Sequence, residues 1–195
     1  MALALLSTPE QIRSDRKSMN AVLNRLLQIV INASKANNYR GSSFHVSEPL
    51  VVLVKLFVVE ERTLDYVLCH AETVPPSDTI STIRLFVTLL IEFAGKIERD
   101  NLLRQFTVIA LLNILWSISF QRNYASELKQ NQALIDIVQS FVKNEKRTEI
   151  LAQYQPRSME NFQQAASGIL HNLHLEDLDP TTSIQQENED RKAKK

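Results

Sequence analysis

The chain has 195 residues, and its 22 Lys plus Arg balance 22 Asp plus Glu, so no net field draws in nucleic acid or an anionic membrane from a distance. Three glycines, where a typical share of about 7% gives roughly 14, argue against glycine-cradled phosphate sites. The single cysteine, Cys69, excludes an intrachain disulfide framework and fits a reducing compartment, so a cytoplasmic location is expected.

Residues 1–8 read as an N-terminal extension. Leu3, Leu5 and Leu6 lack a preceding basic region, and Pro9 and Glu10 end the apolar stretch too early for a signal peptide. Met19, Val22, Leu23, Leu26, Val30 and Ala33 keep the i, i+3, i+4, i+7 spacing of an amphipathic helix, predicted to run from Glu10 to Ala36. Its basic residues, Arg13, Arg16, Lys17 and Arg25, are expected to form a solvated face rather than a lipid or RNA patch. After the turn-rich residues Asn37 to Ser43, Ser47 is expected to cap a helix with Pro49 in its first turn. Leu50 to Val59 is rich in Val, which favours a strand on propensity. Helical spacing nevertheless continues from Leu50 to Leu68 through Glu60-Glu61-Arg62, so a helix is predicted.

Pro75-Pro76 must interrupt it, with Ser77 or Asp78 capping the next helix, and Gly95 is expected to stop that one. Ile83, Phe86, Val87, Leu90 and Phe93 cover most of its circumference, as in a core helix. Leu102 to Phe120 has the same all-round character. The apolar runs Pro49 to Val59 and Phe106 to Phe120 fall short of the ~20 residues of a membrane span, so no span is expected. A short helix over Gln121 to Lys129, an amphipathic one over Ala133 to Val142, and a last one capped by Ser158 and running to Leu173 complete the helical part. Residues 176–195, polar, acidic and then basic, are expected to be a disordered tail or linker, because they lack the apolar area to offset ordering entropy.

One pattern occurs twice: Ala110-Leu111-Leu112-Asn113-Ile114-Leu115-Trp116-Ser117-Ile118 and, 55 residues later, Ala165-Ala166-Ser167-Gly168-Ile169-Leu170-His171-Asn172-Leu173. Such self-similarity marks a repeat architecture, in which each unit buries its apolar face on a neighbour. The second copy resembles the end of the third helix of an armadillo repeat. Tyr124 to Lys129 resembles the short first helix, and Asn131 to Val138 the second, with Asn131 where the family has Gly and able to adopt the same left-handed backbone. The resemblance implies an all-α, armadillo/HEAT-like right-handed α-solenoid of three to four degenerate repeats over residues 9–175. The offset exceeds the repeat period of about 42 residues, so roughly 13 extra residues fall near Lys143 to Arg157. Gly168 stands where nuclear-import carriers of the family place Trp, four residues before Asn172, so an import-receptor groove is not implied.

A looser resemblance is to invertebrate signalling proteins in which a degenerate armadillo-like region precedes a TIR domain. It gives an alternative reading as the regulatory front end of a larger signalling protein, although no TIR sequence lies within these residues.

Enzyme signatures fail one by one. His70-Ala71-Glu72 lacks the Pro-Cys-x-x-Cys that a zinc deaminase requires. Cys69 and His70 are helix neighbours about 100° apart, so Cys69 reads as a buried structural thiol. Gly95-Lys96 lacks the rest of a phosphate loop. His171 and His174, at i and i+3, are compatible with a metal but lack a fuller ligand set and suit the negative end of a helix dipole. Trp116, Phe120 and Tyr124 recur at helical spacing, which suits an aromatic peptide-binding ladder but more often marks core, so core is expected. No catalytic, cofactor or metal residue is therefore assigned. Third helices of armadillo repeats line a concave groove, which implies that Asn113, Ser117 and Asn172 bond an extended protein or peptide partner. A non-catalytic protein-interaction scaffold is expected, with no nucleic-acid partner.

Overall fold

The computed structural model describes residues 7–41, 43–69, 81–95, 102–143 and 156–175. Among them, helices α1 (Pro9–Ser14) and α2 (Arg16–Ser34) precede a minimal antiparallel ladder of β1 (Arg40–Gly41) and β2 (Phe44–His45). The ladder pairs Arg40 with His45 and Gly41 with Phe44. Seven helices follow: α3 (Ser47–Val59), α4 (Glu61–Cys69), α5 (Thr82–Ala94), α6 (Leu102–Ser119), α7 (Arg122–Lys129), α8 (Gln132–Lys143) and α9 (Pro156–Asn172). The chain is mostly helical, and the Val-rich stretch before Glu60 is helix rather than strand.

Several boundaries differ from expectation because side-chain caps outcompete helical continuation. The opening helix is two. Asp15 leaves helical geometry (φ −117°, ψ 80°) and its carboxylate accepts from the Ser18 N–H at 3.1 Å, while Thr8 and Gln11 form a capping box before α1. The expected continuation through Glu60-Glu61-Arg62 breaks at Glu60 (φ −147°, ψ 104°), and the Thr63 hydroxyl donates to the Leu56 carbonyl at 3.0 Å across the break. Ser47 lies inside α3, whose preceding residue Val46 provides no side-chain cap. Ser81 caps α5 by accepting from the Arg84 N–H at 3.1 Å; Ser77 and Asp78 lie outside the described residues. Asn131 is not left-handed. Its Oδ1 accepts from the Leu134 N–H at 3.0 Å, which makes it a side-chain cap of α8. Helix α9 begins at Pro156, ahead of Ser158. The expected extra residues near Lys143 to Arg157 and the 176–195 tail fall largely or wholly outside the described residues.

The core is built around α6, which packs against α3, α5, α7 and α9. Leu111, Leu112, Ile114, Leu115 and Ile118 have no exposed surface. Full burial of one such side chain contributes about 1.5–3 kcal/mol. Helix α6 is 18 residues long and meets the length and composition of a membrane span, and 56% of it is buried inside the molecule, as in a core helix. The two copies of the sequence pattern lie on α6 and α9, which pack on each other. At their crossing Gly168 faces the Trp116 indole, and a Cβ there would overlap the ring, with Cζ2 at 2.9 Å and two other ring atoms closer. At the other end, Gly41 lets β1 approach the α2 backbone, since a Cβ would sit 2.8 Å from the Ala33 nitrogen. Tyr39 ties the ladder to α5 by a hydrogen bond to Glu92 and by ring contact with Phe93 at 4.5 Å.

Candidate partner-binding face and cleft

Burying α6 on its neighbours leaves one strip of it uncovered. Leu103, Phe106, Ile109, Asn113, Ser117 and Phe120 recur at three- and four-residue intervals along this strip, with Phe106 42% and Phe120 65% exposed. Asn113 donates through Nδ2 to the Ile109 carbonyl at 2.9 Å, and Ser117 donates through Oγ to the Asn113 carbonyl at 2.9 Å. Each side chain is folded back on its own helix, four residues upstream, which fixes its orientation on the strip.

Asn172 stands apart from that pair. Its Nδ2 donates to Ser119 Oγ at 2.8 Å, and Ser119 Oγ donates in turn to the Trp116 carbonyl at 2.6 Å. This relay joins the C-terminal ends of α6 and α9. Two of the three expected partner-binding residues therefore share a face, and the third is half-buried at the helix junction, one step along the surface. The aromatic stripe is divided as well. Trp116 and Tyr124 are half-buried, whereas Phe120, the residue that follows the end of α6, is exposed with its ring 6.1 Å from Trp116.

Phe120 and Asn172 both line a cleft of about 500 Å³ between the start of α7 and the end of α9. Ser119, Arg122, Ala125, Ser126, Lys129, His171, Leu173 and His174 complete it. Arg122 and Lys129 stand seven residues apart on α7, two turns along one face, and contribute two positive charges. The end of α9 is closed by its own chain: Leu175 N–H donates to the Leu170 carbonyl at 3.0 Å and His174 N–H to the His171 carbonyl at 2.9 Å. This is a Schellman closure, with His174 in the left-handed conformation (φ 54°) that places its side chain at the cleft.

Among the described residues, no group of three or more His, Cys, Asp and Glu is placed to hold a metal. Cys69, expected to be buried, is exposed and bonded to the Tyr124 hydroxyl at 2.6 Å, and that contact, with partial burial, pushes the Tyr124 phenol up to about 12. A second cavity of about 240 Å³ lies near α1 and α2. It mixes Arg13, Arg16 and Arg62 with Glu60 and Asp65, and Arg13 pairs with Glu60 at 3.5 Å, so its charges are largely compensated.

Asn113, Ser117 and Asn172 were marked in the sequence by their place on the repeated helix. Phe120 was singled out with Trp116 and Tyr124 as an aromatic stripe, whereas Arg122, Ser126 and Lys129 were not singled out. The i, i+7 spacing of Arg122 and Lys129 is the one signal that could have found them, and it acquires meaning only once α9 ends beside it. Compared with known proteins, the chain matches no family model, no curated protein and no solved structure.

Proposed function

We propose that the chain is a non-catalytic protein-interaction module of armadillo-like type, a short right-handed solenoid of degenerate repeats that holds an extended peptide from a protein partner. The uncovered strip of α6 carries this reading: an otherwise buried helix leaves Phe106, Asn113, Ser117 and Phe120 on its open side. Exposed aromatics beside small polar groups suit peptide capture, because an aromatic anchor supplies buried area and the polar groups satisfy the peptide backbone. The packing of α6 on α9, the two helices that share the repeated pattern, supports the repeat architecture.

The test is selection of short random peptides on the full chain. Selected peptides are expected to lose affinity at least about tenfold on Ser117→Arg, which places a bulky charge on the strip, while thermal unfolding is unchanged. Selection that yields no binders, or binders indifferent to Ser117→Arg, overturns the reading. Asn172 is a poorer probe. Its bond to Ser119 joins two helices, and removing it is expected to cost about 1 kcal/mol of stability.

A further inference from the structure

We infer that the cleft between α7 and the end of α9 binds the anionic side chain, a carboxylate or a phosphoryl group, of an acidic peptide segment. The inference deepens the peptide-binding reading and rests on it for what carries the charge. Four observations bring it to this class of ligand.

The cleft is lined by Arg122, Lys129, His171 and His174, and no carboxylate is among its lining residues within the described part of the chain. The side chains of Arg122 and Lys129 make no ion pair or hydrogen bond among the described residues, in contrast to Arg13, which spends its guanidinium on Glu60 and the Val59 carbonyl. The one carboxylate of α7, Glu127, is directed elsewhere and accepts from the Ser81 hydroxyl at 3.2 Å. Three carbonyls at the end of α9, those of Ile169, Leu170 and His171, which would otherwise repel an anion, accept from the N–H groups of Leu173, Leu175 and His174.

The donors suit anionic oxygen. A guanidinium offers a planar fork that matches a carboxylate or phosphoryl group two bonds at a time, and an ammonium adds a point charge. Imidazoles donate N–H, and the Ser126 hydroxyl adds a neutral donor. A volume of about 500 Å³ exceeds the needs of one such side chain and leaves room for adjoining peptide backbone. Phe120 lines the cleft and follows directly on the last residue of α6, so the cleft begins where the strip of Asn113 and Ser117 ends.

The probes are three fluorescein-labelled Gly-Ser decapeptides carrying three glutamates, three phosphoserines or three lysines, titrated against the full chain by anisotropy at low and moderate salt. The glutamate and phosphoserine peptides are expected to bind, more weakly as salt rises, and the lysine peptide to show no saturable binding. Reversing both cations, Arg122→Glu with Lys129→Glu, is expected to weaken the anionic probes at least about tenfold. Both residues are exposed, and an unchanged helical signal in circular dichroism verifies the fold. The ratio of the two anionic affinities tells which source the cleft prefers. Equal binding of the lysine peptide, no binding of either anionic peptide, or indifference to the double reversal overturns the inference. If selected peptides respond to Ser117→Arg but not to the reversal, the anion site fails and the groove stands; the opposite pattern sinks the groove and keeps the anion site.

Discussion

Gly168 and Trp116 occupy one space: the indole lies where a Cβ on the glycine would project. Glycine inside a helix ordinarily costs about 0.5–1 kcal/mol relative to alanine, so the position is bought by the ring that fills it. Gly168→Ala is expected to destabilise the protein by about 1 kcal/mol net, the cost of overpacking exceeding the gain in helix propensity. In a Trp116→Ala background the sign should reverse, with Gly168→Ala stabilising by up to about 1 kcal/mol. Urea denaturation of the four chains closes this cycle, and equal effects in both backgrounds would show that the two residues are uncoupled.

Asn131 provides a second test, because its side chain caps α8 rather than adopting a left-handed turn. Alanine removes the acceptor for the Leu134 N–H, whereas glycine costs little at a cap, where its flexibility lets water reach the freed N–H. Asn131→Ala is expected to cost about 1 kcal/mol and Asn131→Gly only a few tenths, measured by chemical denaturation. Asn131→Ser, which keeps a capping oxygen but does not favour a positive φ, is expected to match the parent chain, and a loss as large as alanine's would show that backbone conformation rather than the cap decides the position.

How far the sequence disclosed this arrangement depends on the length of the interactions involved. Long apolar periods, such as Leu102 to Ile118, specify a helix and its burial, and Gly95 ends α5 as expected. Breaks at Asp15 and Glu60 escaped because one capping bond, worth about 1 kcal/mol, overrides an uninterrupted period and leaves little trace in it. Asn113 and Ser117 were legible as polar residues on an apolar helix. The cleft was not, since Arg122 and Lys129 are ordinary surface residues until α9 ends beside α7.

His45 should make stability pH-dependent. It is 6% exposed, and its Nδ1 lies 2.8 Å from Ser47 Oγ and 3.2 Å from the Ser47 N–H, which it accepts. Burial, aided by the Arg40 guanidinium and opposed by Glu48, holds its pKa below the ordinary imidazole value. The unfolded chain therefore takes up the proton first as pH falls. The contribution is whole above the unfolded value of about 6.5 and is lost as pH falls toward the folded one, at no more than about 1.4 kcal/mol per unit. His45→Gln, which cannot protonate, is expected to flatten the fall in Tm between pH 7 and pH 5. An unchanged slope would assign that fall to other groups.

His174 holds a left-handed backbone (φ 54°) at the closure of α9, where helices ordinarily place glycine. For a residue with a Cβ this conformation costs on the order of 1 kcal/mol, and histidine is one of the few side chains that tolerate it. His174→Gly is therefore expected to stabilise the folded chain by up to about 1 kcal/mol in urea denaturation, while the Schellman bonds from Leu175 and residue 174 persist. The same substitution removes an N–H donor from the cleft and should weaken the glutamate and phosphoserine probes a few-fold. Stability gained with affinity lost would show that the strain serves the cleft. A gain in stability with unchanged probe binding would leave His174 as a backbone compromise alone.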